Sequence, residues 1–300
     1  MAAELNERKA AARQARGILR RQLRKGLKKL DGSQDANDED IHDARKRIKQ
    51  ARATLRLLRE ALSGSDYRRE DRTLQAAAHP LSLARDAKVL VEAFDQLLAD
   101  HRKARQLSGA RGFRRALVQQ RTSARASVLG DDVRRACRGL RRARASAKDW
   151  SLGKKGWMRL ARGATRLYAQ GRECLDAVRR EATVEALHCW RKQAKYLYLQ
   201  LELLAPVCVP EVGRLARGLR ALSDELGDDH DLAVLRESVA ARTDHFADAA
   251  TATALATVIE RSRTNLQQRA LLRGARLYRL EPERFTALLE RRPRSAPRTR

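Results

Sequence analysis

The amino-acid sequence predicts an all-α protein, and three of its properties support this prediction. Ala, Leu, Arg, Glu and Gln, which favour helices, are abundant, and apolar residues recur every three or four positions along most of the chain. Runs of alternating β-branched residues, which would indicate strands, are missing from the sequence. The 300 residues are enough for one large helical domain, or for two smaller ones with cores of their own.

The N-terminal half is predicted to form five helices. They are separated by an acidic loop at 31–40, by the Gly64-Ser65 pair and by His79-Pro80, since the residue before a proline is biased away from helix. We expect the last of the five to break near Gly130. The predicted helices cover approximately residues 7–30, 40–62, 67–78, 83–103 and 112–147.

The C-terminal half follows a Gly-containing joint at 149–156 and is predicted to form six helices. The tail at 292–300 contains two prolines and four arginines, and we expect it to be disordered. The six predicted helices cover approximately residues 157–180, 184–204, 210–226, 229–246, 249–273 and 282–291.

The second half of the sequence repeats motifs of the first. Four basic residues recur 146 positions later as the same residue types, which pairs His42 with His188, Arg45 with Arg191, Lys46 with Lys192, and Lys49 with Lys195. A second block recurs after 145 positions and pairs Leu81, Asp86, Val89, Leu90 and Glu92 with Leu226, Asp231, Val234, Leu235 and Glu237. Two ordered blocks at nearly equal spacing indicate a duplication. We therefore predict two similar helical bundles, at 7–148 and 157–291, packed into one body around a pseudo-twofold axis.

The first repeated block forms a basic stripe along its predicted helix. At about 100° per residue, its basic side chains fall within one arc, and the apolar side chains from Ile48 to Leu62 fall on the opposite arc, towards the core. The stripe consists of His42, Arg45, Lys46, Lys49, Arg52 and Arg56. It spans about 21 Å at about 1.5 Å per residue, which suits a linear chain of phosphates better than one small anion.

The second half carries an equivalent stripe that contains His188, Arg191, Lys192 and Lys195, with Tyr198 at its edge. Like charges three and four positions apart repel each other on a helix, so two such stripes at the same phase favour an anionic partner over a solvated face. A polyanion beside the two histidines would favour their protonated form. Arg85 and His230, from the second block, are further candidate ligands. The aspartates that follow them, Asp86 and Asp231, are expected to orient basic side chains or to cap a helix.

The charge balance narrows the classes of partner. Lys and Arg number 65 against 37 Asp and Glu, which gives a formal net charge of +28. Such an excess makes nucleic acid, acidic lipid or polyphosphate plausible. Aromatic residues make up only 4% of the chain, which weakens any prediction of a site that stacks bases.

The ends and the cysteines of the chain point to a reducing compartment. Residues 1–9 are polar, and no stretch approaches the roughly 18 apolar residues of a membrane span, so we predict a cytoplasmic protein with no membrane association. The four cysteines form no C-x-x-C pair and fall within helical patterns beside apolar residues. We expect buried reduced thiols rather than disulfides or zinc ligands at Cys137, Cys174, Cys189 and Cys208.

These motifs resemble those of the CHAD family, the conserved histidine α-helical domain, over nearly the whole chain (7–291). The matching residues are His42-Asp43-x-Arg45-Lys46-x-x-Lys49-x-x-Arg52, His188-x-x-Arg191-Lys192-x-x-Lys195, and Leu226-Gly227-Asp228-x-x-Asp231-Leu232 with its degenerate partner Leu81-x-x-x-Arg85-Asp86. The resemblance implies two four-helix bundles forming one compact domain with a central basic groove. It implies non-catalytic binding of inorganic polyphosphate, association with polyphosphate granules, and no cofactor or metal. The ligands it implies are His42, Arg45, Lys46, Lys49, Arg52, Arg85, His188, Arg191, Lys192 and Lys195.

The sequence departs from the family pattern in its second half. Cys189-Trp190 is unusual after the second motif histidine, and Tyr198 stands where the first repeat has Arg52. We therefore expect the C-terminal half to bind polyphosphate less tightly than the N-terminal half.

Two other functions compete with this prediction, and a third is compatible with it. The His42-Asp43 and His230-Asp231 pairs superficially suggest a metal phosphohydrolase, but cationic neighbours around the motif histidines would repel a metal ion. Nucleic-acid binding is the main alternative, although the sequence shows no zinc-finger or basic-zipper pattern. A scaffold role at a granule surface is compatible with polyphosphate binding. The sequence also contains no E-x-E-x-K motif of a fused triphosphate-hydrolysing barrel.

Overall fold

The structure, a computed structural model, is built of α-helices throughout the part of the chain that it describes. That part comprises residues 5, 7–30, 37–101, 104, 107, 109–126, 130–153, 156–246 and 249–291, with 83–85 and 125 described for their backbone only. The predicted all-α class is confirmed. The tail at 292–300 and most of the acidic loop lie outside the described residues.

The α-helices follow one another with short connections. In order they are α1 (Ala11–Leu30), α2 (Asp38–Leu57), α3 (Gly64–Ala78), α4 (Ser82–Asp100), α5 (Ala110–Ala126), α6 (Gly130–Ser146), α7 (Gly156–Arg180), α8 (Val184–Leu204), α9 (Pro210–Ala240), α10 (Ala249–Leu277) and α11 (Pro282–Glu290). Single 3₁₀ turns lie at Arg59–Ala61, Ala205–Val207 and Thr243–His245. The break predicted near Gly130 is confirmed, since α5 ends at Ala126 and α6 begins at Gly130.

Several helices begin where the side chains supply a cap. The Asn37 side chain accepts a hydrogen bond from the Asp40 amide (2.9 Å), and the Ser63 hydroxyl accepts one from the Asp66 amide (3.0 Å). Thr183 does the same for α8 through the amide of Ala186 (3.1 Å). Each cap satisfies one of the amides that the first helical turn leaves unpaired. These caps fix where α2 and α8, the helices with the basic stripes, begin.

One predicted boundary is wrong. The sequence predicts separate helices at 210–226 and 229–246, whereas α9 runs unbroken from Pro210 to Ala240. Gly227 weakens a helix by only about 1 kcal/mol, which packing readily offsets, because glycine keeps the backbone amide that proline lacks. In the first half Pro80 does interrupt the equivalent stretch, and it separates α3 from α4.

Buried ion pairs hold α9 against α10. The Asp229 carboxylate accepts from Arg263 (3.1 Å) and from the Gln267 amide (2.8 Å), and both members of the ion pair are buried. One turn earlier, the buried Glu225 pairs with Arg273 (2.9 Å) and Arg269 (3.2 Å). Because a buried charge must be paired, these contacts fix the position of the two helices relative to each other.

The apolar core forms two clusters. The larger one runs through α1, α2, α3, α6, α7, α8, the first half of α9, the end of α10 and α11. The smaller one joins α4 and α5 to the later part of α9 and to α10, around stacked Phe113 and Phe246 and the edge-on ring of Phe94. The smaller core therefore combines helices of both sequence halves. The division into bundles at 7–148 and 157–291, and the pseudo-twofold axis, stay predictions.

The two halves meet where α2 and α8 pack together. The buried Gln200 amide of α8 donates to the Ala53 carbonyl of α2 at 3.2 Å. Nearby, Gly163 of α7 lies against the Leu57 carbonyl at the end of α2, so closely that any Cβ would collide with it. The N-terminal segment adds another link, since the Leu5 amide donates to the Leu203 carbonyl (3.2 Å). The helices with the basic stripes are thus direct neighbours.

The expectation for the cysteines is wrong at two positions. Cys174 of α7 and Cys189 of α8 are joined in a disulfide, with their Cα atoms 6.2 Å apart. The two residues come together because α7 and α8 are consecutive helices joined by a short connection. Cys137 and Cys208 are buried, as expected, and neither takes part in this disulfide. Within the described ranges, no helix has the length and apolar content needed to cross a bilayer.

Candidate functional site

Two adjoining cavities between α2, α8 and α9 bring the two basic stripes together. The first, of about 260 Å³, is lined by Arg45, Lys49, His188, Arg191, Lys192, Lys195 and His230, besides Asp86, Tyr196 and Leu199. The second, of about 240 Å³, is lined by His42, Arg45, Lys46, Lys49, Lys195, Tyr198 and Arg220, besides Gln50, Leu199 and Glu202. The cavities share Arg45, Lys49 and Lys195, so together they form one groove, the basic groove.

The charge of the basic groove is strongly one-sided. Among the described residues that line it, seven arginines and lysines face two carboxylates, Asp86 and Glu202. Burial raises the pKa of Glu202, which makes that carboxyl easier to protonate beside an anion. A concave surface with this charge attracts and concentrates anions.

The structure fixes the direction of Arg45. Its guanidinium donates to the Ala78 carbonyl (3.0 Å) and to the Ser82 hydroxyl (2.8 Å), where α3 ends and α4 begins. The helix break at Pro80 supplies these acceptors, because α3 ends at Ala78 with its last carbonyls outside the helical ladder. Arg45 thus points into the groove without having to be ordered by a ligand.

The second half of the sequence also supplies a pair of histidines. The rings of His188 on α8 and His230 on α9 lie 5.1 Å apart, centroid to centroid, with their planes inclined at 51°. Burial lowers the pKa of His188, and Arg191 and Lys192 lower it further. The pKa of His42 is likewise lowered by burial and by Lys88, partly against Asp43. The imidazoles of His42 and His188 are therefore neutral at pH 7 in the empty groove and become stronger bases when an anion binds.

Two predicted ligands have another partner. Arg52 pairs with Asp71 of α3 at 3.0 Å, and Arg56 reaches the same carboxylate at 3.5 Å while its guanidinium lies 4.5 Å from the ring centroid of Tyr196. Neither arginine lines the two cavities. These contacts fasten α2 to α3, and the role of Arg52 and Arg56 as ligands stays a prediction.

Tyr198 lines the groove as a partly buried phenol. Burial raises its pKa, so it stays neutral, and Arg220 lies 5.9 Å from its ring centroid. A neutral tyrosine in this position adds a hydrogen-bonding hydroxyl but no charge. Arg85 lies on α4 in the equivalent block, but its side chain is outside the described residues.

Sequence reasoning missed Arg220. This residue of α9 lines the groove and lies 3.4 Å from the Glu202 carboxylate. It belongs to neither stripe, so the charge pattern does not single it out. A weak signal exists, because Arg220 precedes Gly227 of the Leu-Gly-Asp motif by two helical turns and therefore shares its face of α9.

An acidic cavity adjoins the basic groove. It has a volume of about 870 Å³, and His42 lines both this cavity and the groove. Its carboxylates come from Glu39, Glu92, Asp100, Asp228 and Asp231. Burial and the neighbouring Asp231 and Asp224 raise the pKa of Asp228. Within the described part of the chain, no three His, Cys, Asp or Glu side chains are grouped to hold a metal ion. The acidic cavity thus borders the basic groove at His42.

Comparisons with known proteins agree with the geometry. A family model described as the CHAD domain matches residues 17–240. The chain is also similar to a solved structure, the crystal structure of the CHAD domain from the plant Ricinus communis. The TM-score is 0.59 and the identity 15%, over 98% of this chain and 96% of that chain, which shows a shared fold. No curated protein matches the sequence.

Proposed function

Since this chain belongs to the CHAD family, we propose that its basic groove binds inorganic polyphosphate and does not cleave it. The observation that carries the proposal is the convergence of two histidine-led stripes, one from each half of the sequence, on a single groove. Arg45, Lys49 and Lys195 line both of its cavities. A chain of phosphates that runs along the groove meets cations of both α2 and α8.

The residue types of the groove suit phosphate oxygens. Arg45, Arg191 and Arg220 offer planar guanidinium groups that can bind two oxygens at once. The lysines act as compact point charges on flexible stems, which tolerates different positions of neighbouring phosphates. Every phosphate of polyphosphate presents the same acceptors, so binding needs charge along a line and no base readout.

Among its described lining residues, the groove offers mainly donors and cations, and its two carboxylates, Asp86 and Glu202, lie in different cavities. The candidate general bases, His42 and His188, are surrounded by cations, and a divalent metal would be repelled there. We therefore assign the protein a binding role. Polyphosphate held in this way would also carry the protein to polyphosphate granules, which imaging a tagged chain in cells with and without polyphosphate would test.

The test of the binding site reverses two central charges. In the double variant Lys49→Glu and Lys195→Glu, we expect the affinity for long-chain polyphosphate to fall about 100-fold, because two charge-assisted contacts of roughly 1.5 kcal/mol each are lost. Isothermal titration calorimetry measures the affinity, and circular dichroism checks that the helix content is unchanged.

A matched control separates the site from the overall charge. Lys25→Glu and Lys28→Glu change two exposed lysines of α1 that line neither cavity, with the same change in net charge. This control should bind polyphosphate within about threefold of the wild type, since remote surface charges are screened over about 10 Å. Equal losses in both double variants would place the binding site elsewhere.

Nucleic-acid binding is the alternative, and competition distinguishes it. Stacking platforms are scarce, because phenylalanine, tryptophan and tyrosine make up 4% of the sequence. We expect double-stranded DNA and single-stranded RNA to displace polyphosphate weakly at equal phosphate concentration. If either displaced it fully, nucleic acid would be the better assignment for the groove.

A further inference from the structure

A second concave surface lies where the start of α9, the end of α10 and α11 meet. We propose that this surface, the leucine–arginine groove, is a docking site for an acidic amphipathic helix of a partner protein. The groove has a volume of about 800 Å³. Its floor is formed by Leu215, Leu277, Leu280 and Leu288, and its rim by Arg214, Arg276, Arg279, Arg284 and Arg291.

The floor is an open extension of the larger core. All four leucines are half-buried and pack against that core from outside. Leu277 lies over Gly218 of α9, where the missing Cβ leaves room for it. Apolar side chains that converge in a groove of this size, rather than lying singly on the surface, indicate a binding site.

The rim of the leucine–arginine groove carries exposed positive charge. Arg214 pairs with Glu211 at 3.1 Å. Within the residues that the structure describes, the other four rim arginines form no ion pair with a carboxylate. Like charges held around one groove repel each other, and an acidic partner relieves this repulsion.

The frame of the groove is held rigid from below. The Tyr168 hydroxyl lies 3.2 Å from the Leu277 carbonyl and 3.1 Å from the Leu280 carbonyl, and Arg172 pairs with Glu281 at 2.6 Å. On the other side, Arg8 donates to the Leu289 carbonyl (3.0 Å) at the end of α11. The connection between α10 and α11 is thus fixed before any partner binds, which lowers the entropic cost of docking.

The combination of floor and rim selects the class of partner. A helix with leucine-like side chains at i, i+3, i+4 and i+7 places them on an apolar floor, and Glu or Asp on its flanks reach the rim arginines. A phosphate polymer would leave the leucines uncovered. A second copy of this chain would bring arginines against arginines. Leu215 and His230 are separated by fifteen residues of one helix, about 22 Å, so both grooves can be occupied together.

The experiment uses a synthetic probe and the full chain. The probe is a fluorescent 14-residue peptide with leucines at helical spacing and glutamates elsewhere, and a scrambled peptide of the same composition is its control. We expect the probe to bind and to gain helix content, measured by fluorescence anisotropy and circular dichroism. In the variant Arg276→Glu and Arg284→Glu, we expect its affinity to fall at least tenfold.

Two further proteins control for charge and for the other groove. Lys25→Glu and Lys28→Glu change exposed lysines outside both grooves by the same total charge and should leave peptide binding within about threefold. Lys49→Glu and Lys195→Glu should also leave it unchanged.

Three results would overturn the proposal. Equal binding of the scrambled peptide would reduce the effect to charge alone. Loss of peptide binding in the Lys49 and Lys195 variant would move the peptide to the basic groove. Tight binding of anionic phosphatidylserine vesicles that disappears in the Arg276 and Arg284 variant, without peptide binding, would make the surface a membrane contact instead.

Discussion

At the scale of single residues, the histidines give the basic groove a property that its arginines and lysines lack. The pKa of His188 is lowered by burial, Arg191 and Lys192, and the cavity around it contains His230 and Lys195 as further basic groups. Only one carboxylate, Asp86, is among the described residues lining that cavity. Polyphosphate bound as we propose would reverse the local field and raise the histidine pKa, so we expect binding to be coupled to proton uptake.

The first prediction concerns pH. The lowered pKa keeps His42 and His188 neutral above about pH 6.5 when the groove is empty, whereas the bound state favours their protonated form. Affinity for polyphosphate should therefore rise as the pH falls from 7.5 towards 6. Calorimetry in buffers of different ionisation enthalpy should show protons taken up on binding. An affinity that does not change over this range in wild type would contradict the coupling.

The lowered pKa of His188 has the opposite effect on the stability of the protein without ligand. Because the folded-state pKa of His188 lies below that of the unfolded chain, the unfolded state binds more protons as the pH drops below about 6.5. The free energy of unfolding should decrease in that range, and polyphosphate should restore it. Acidification thus strengthens ligand binding while it weakens the empty fold.

Arg52 tests the distinction between binding and structure. Its ion pair with Asp71 is mostly shielded from solvent. Replacing Arg52 by Met should lower the free energy of unfolding by about 1–2 kcal/mol and change polyphosphate affinity by less than about threefold. Lys49→Met should lower the polyphosphate affinity and leave the free energy of unfolding nearly unchanged, since Lys49 lines both cavities. Urea denaturation and calorimetry on both variants decide between the two roles. A large affinity loss with stability unchanged in Arg52→Met would support the predicted role of Arg52 as a ligand.

At the scale of helices, the two halves use one equivalent stretch differently. Pro80 divides the first-half stretch into α3 and α4, and the exposed end of α3 holds Arg45. The second half keeps one long α9, and at the equivalent positions it carries Glu225 and Asp229, which pair with α10. The helix break orients Arg45 in the basic groove, and the continuous helix forms buried ion pairs with α10.

The ion pair of Asp229 and Arg263 should dominate the stability of this region. Replacing Arg263 by Met leaves a buried carboxylate with only the Gln267 amide, so we expect the free energy of unfolding to fall by about 3–5 kcal/mol. Arg261→Met, on an exposed position of the same helix, is the control and should cost less than about 0.5 kcal/mol. Urea denaturation measures both. Similar small losses in the two variants would mean that the pair contributes little.

At the scale of the whole molecule, the sequence predicts the class and the helices well because helical periodicity is local. Helix α8, for example, begins at Val184 and ends at Leu204, as predicted. The convergence of the stripes is only implied by family resemblance, since it depends on how α2 and α8 pack. Asp71 lies 19 positions from Arg52 and neutralises it, which no stripe on one helix can reveal.

The smaller core shows what else the sequence leaves undecided. Hydrophobic spacing places Phe94 and Phe113 on the buried faces of α4 and α5, but it does not say which helices cover them. Their partners, among them Leu235 and Phe246, come from the other end of the chain. Tertiary contacts between distant segments, rather than local preference, decide that arrangement.

That shared core also bears on how far the two halves can be separated. Phe113 of the first half stacks on Phe246 of the second, and Gln200 of α8 donates to a carbonyl of α2. A gene shortened at the joint between α6 and α7 would encode a protein whose aromatic side chains face water. Each half therefore needs the other to bury the apolar side chains of the smaller core.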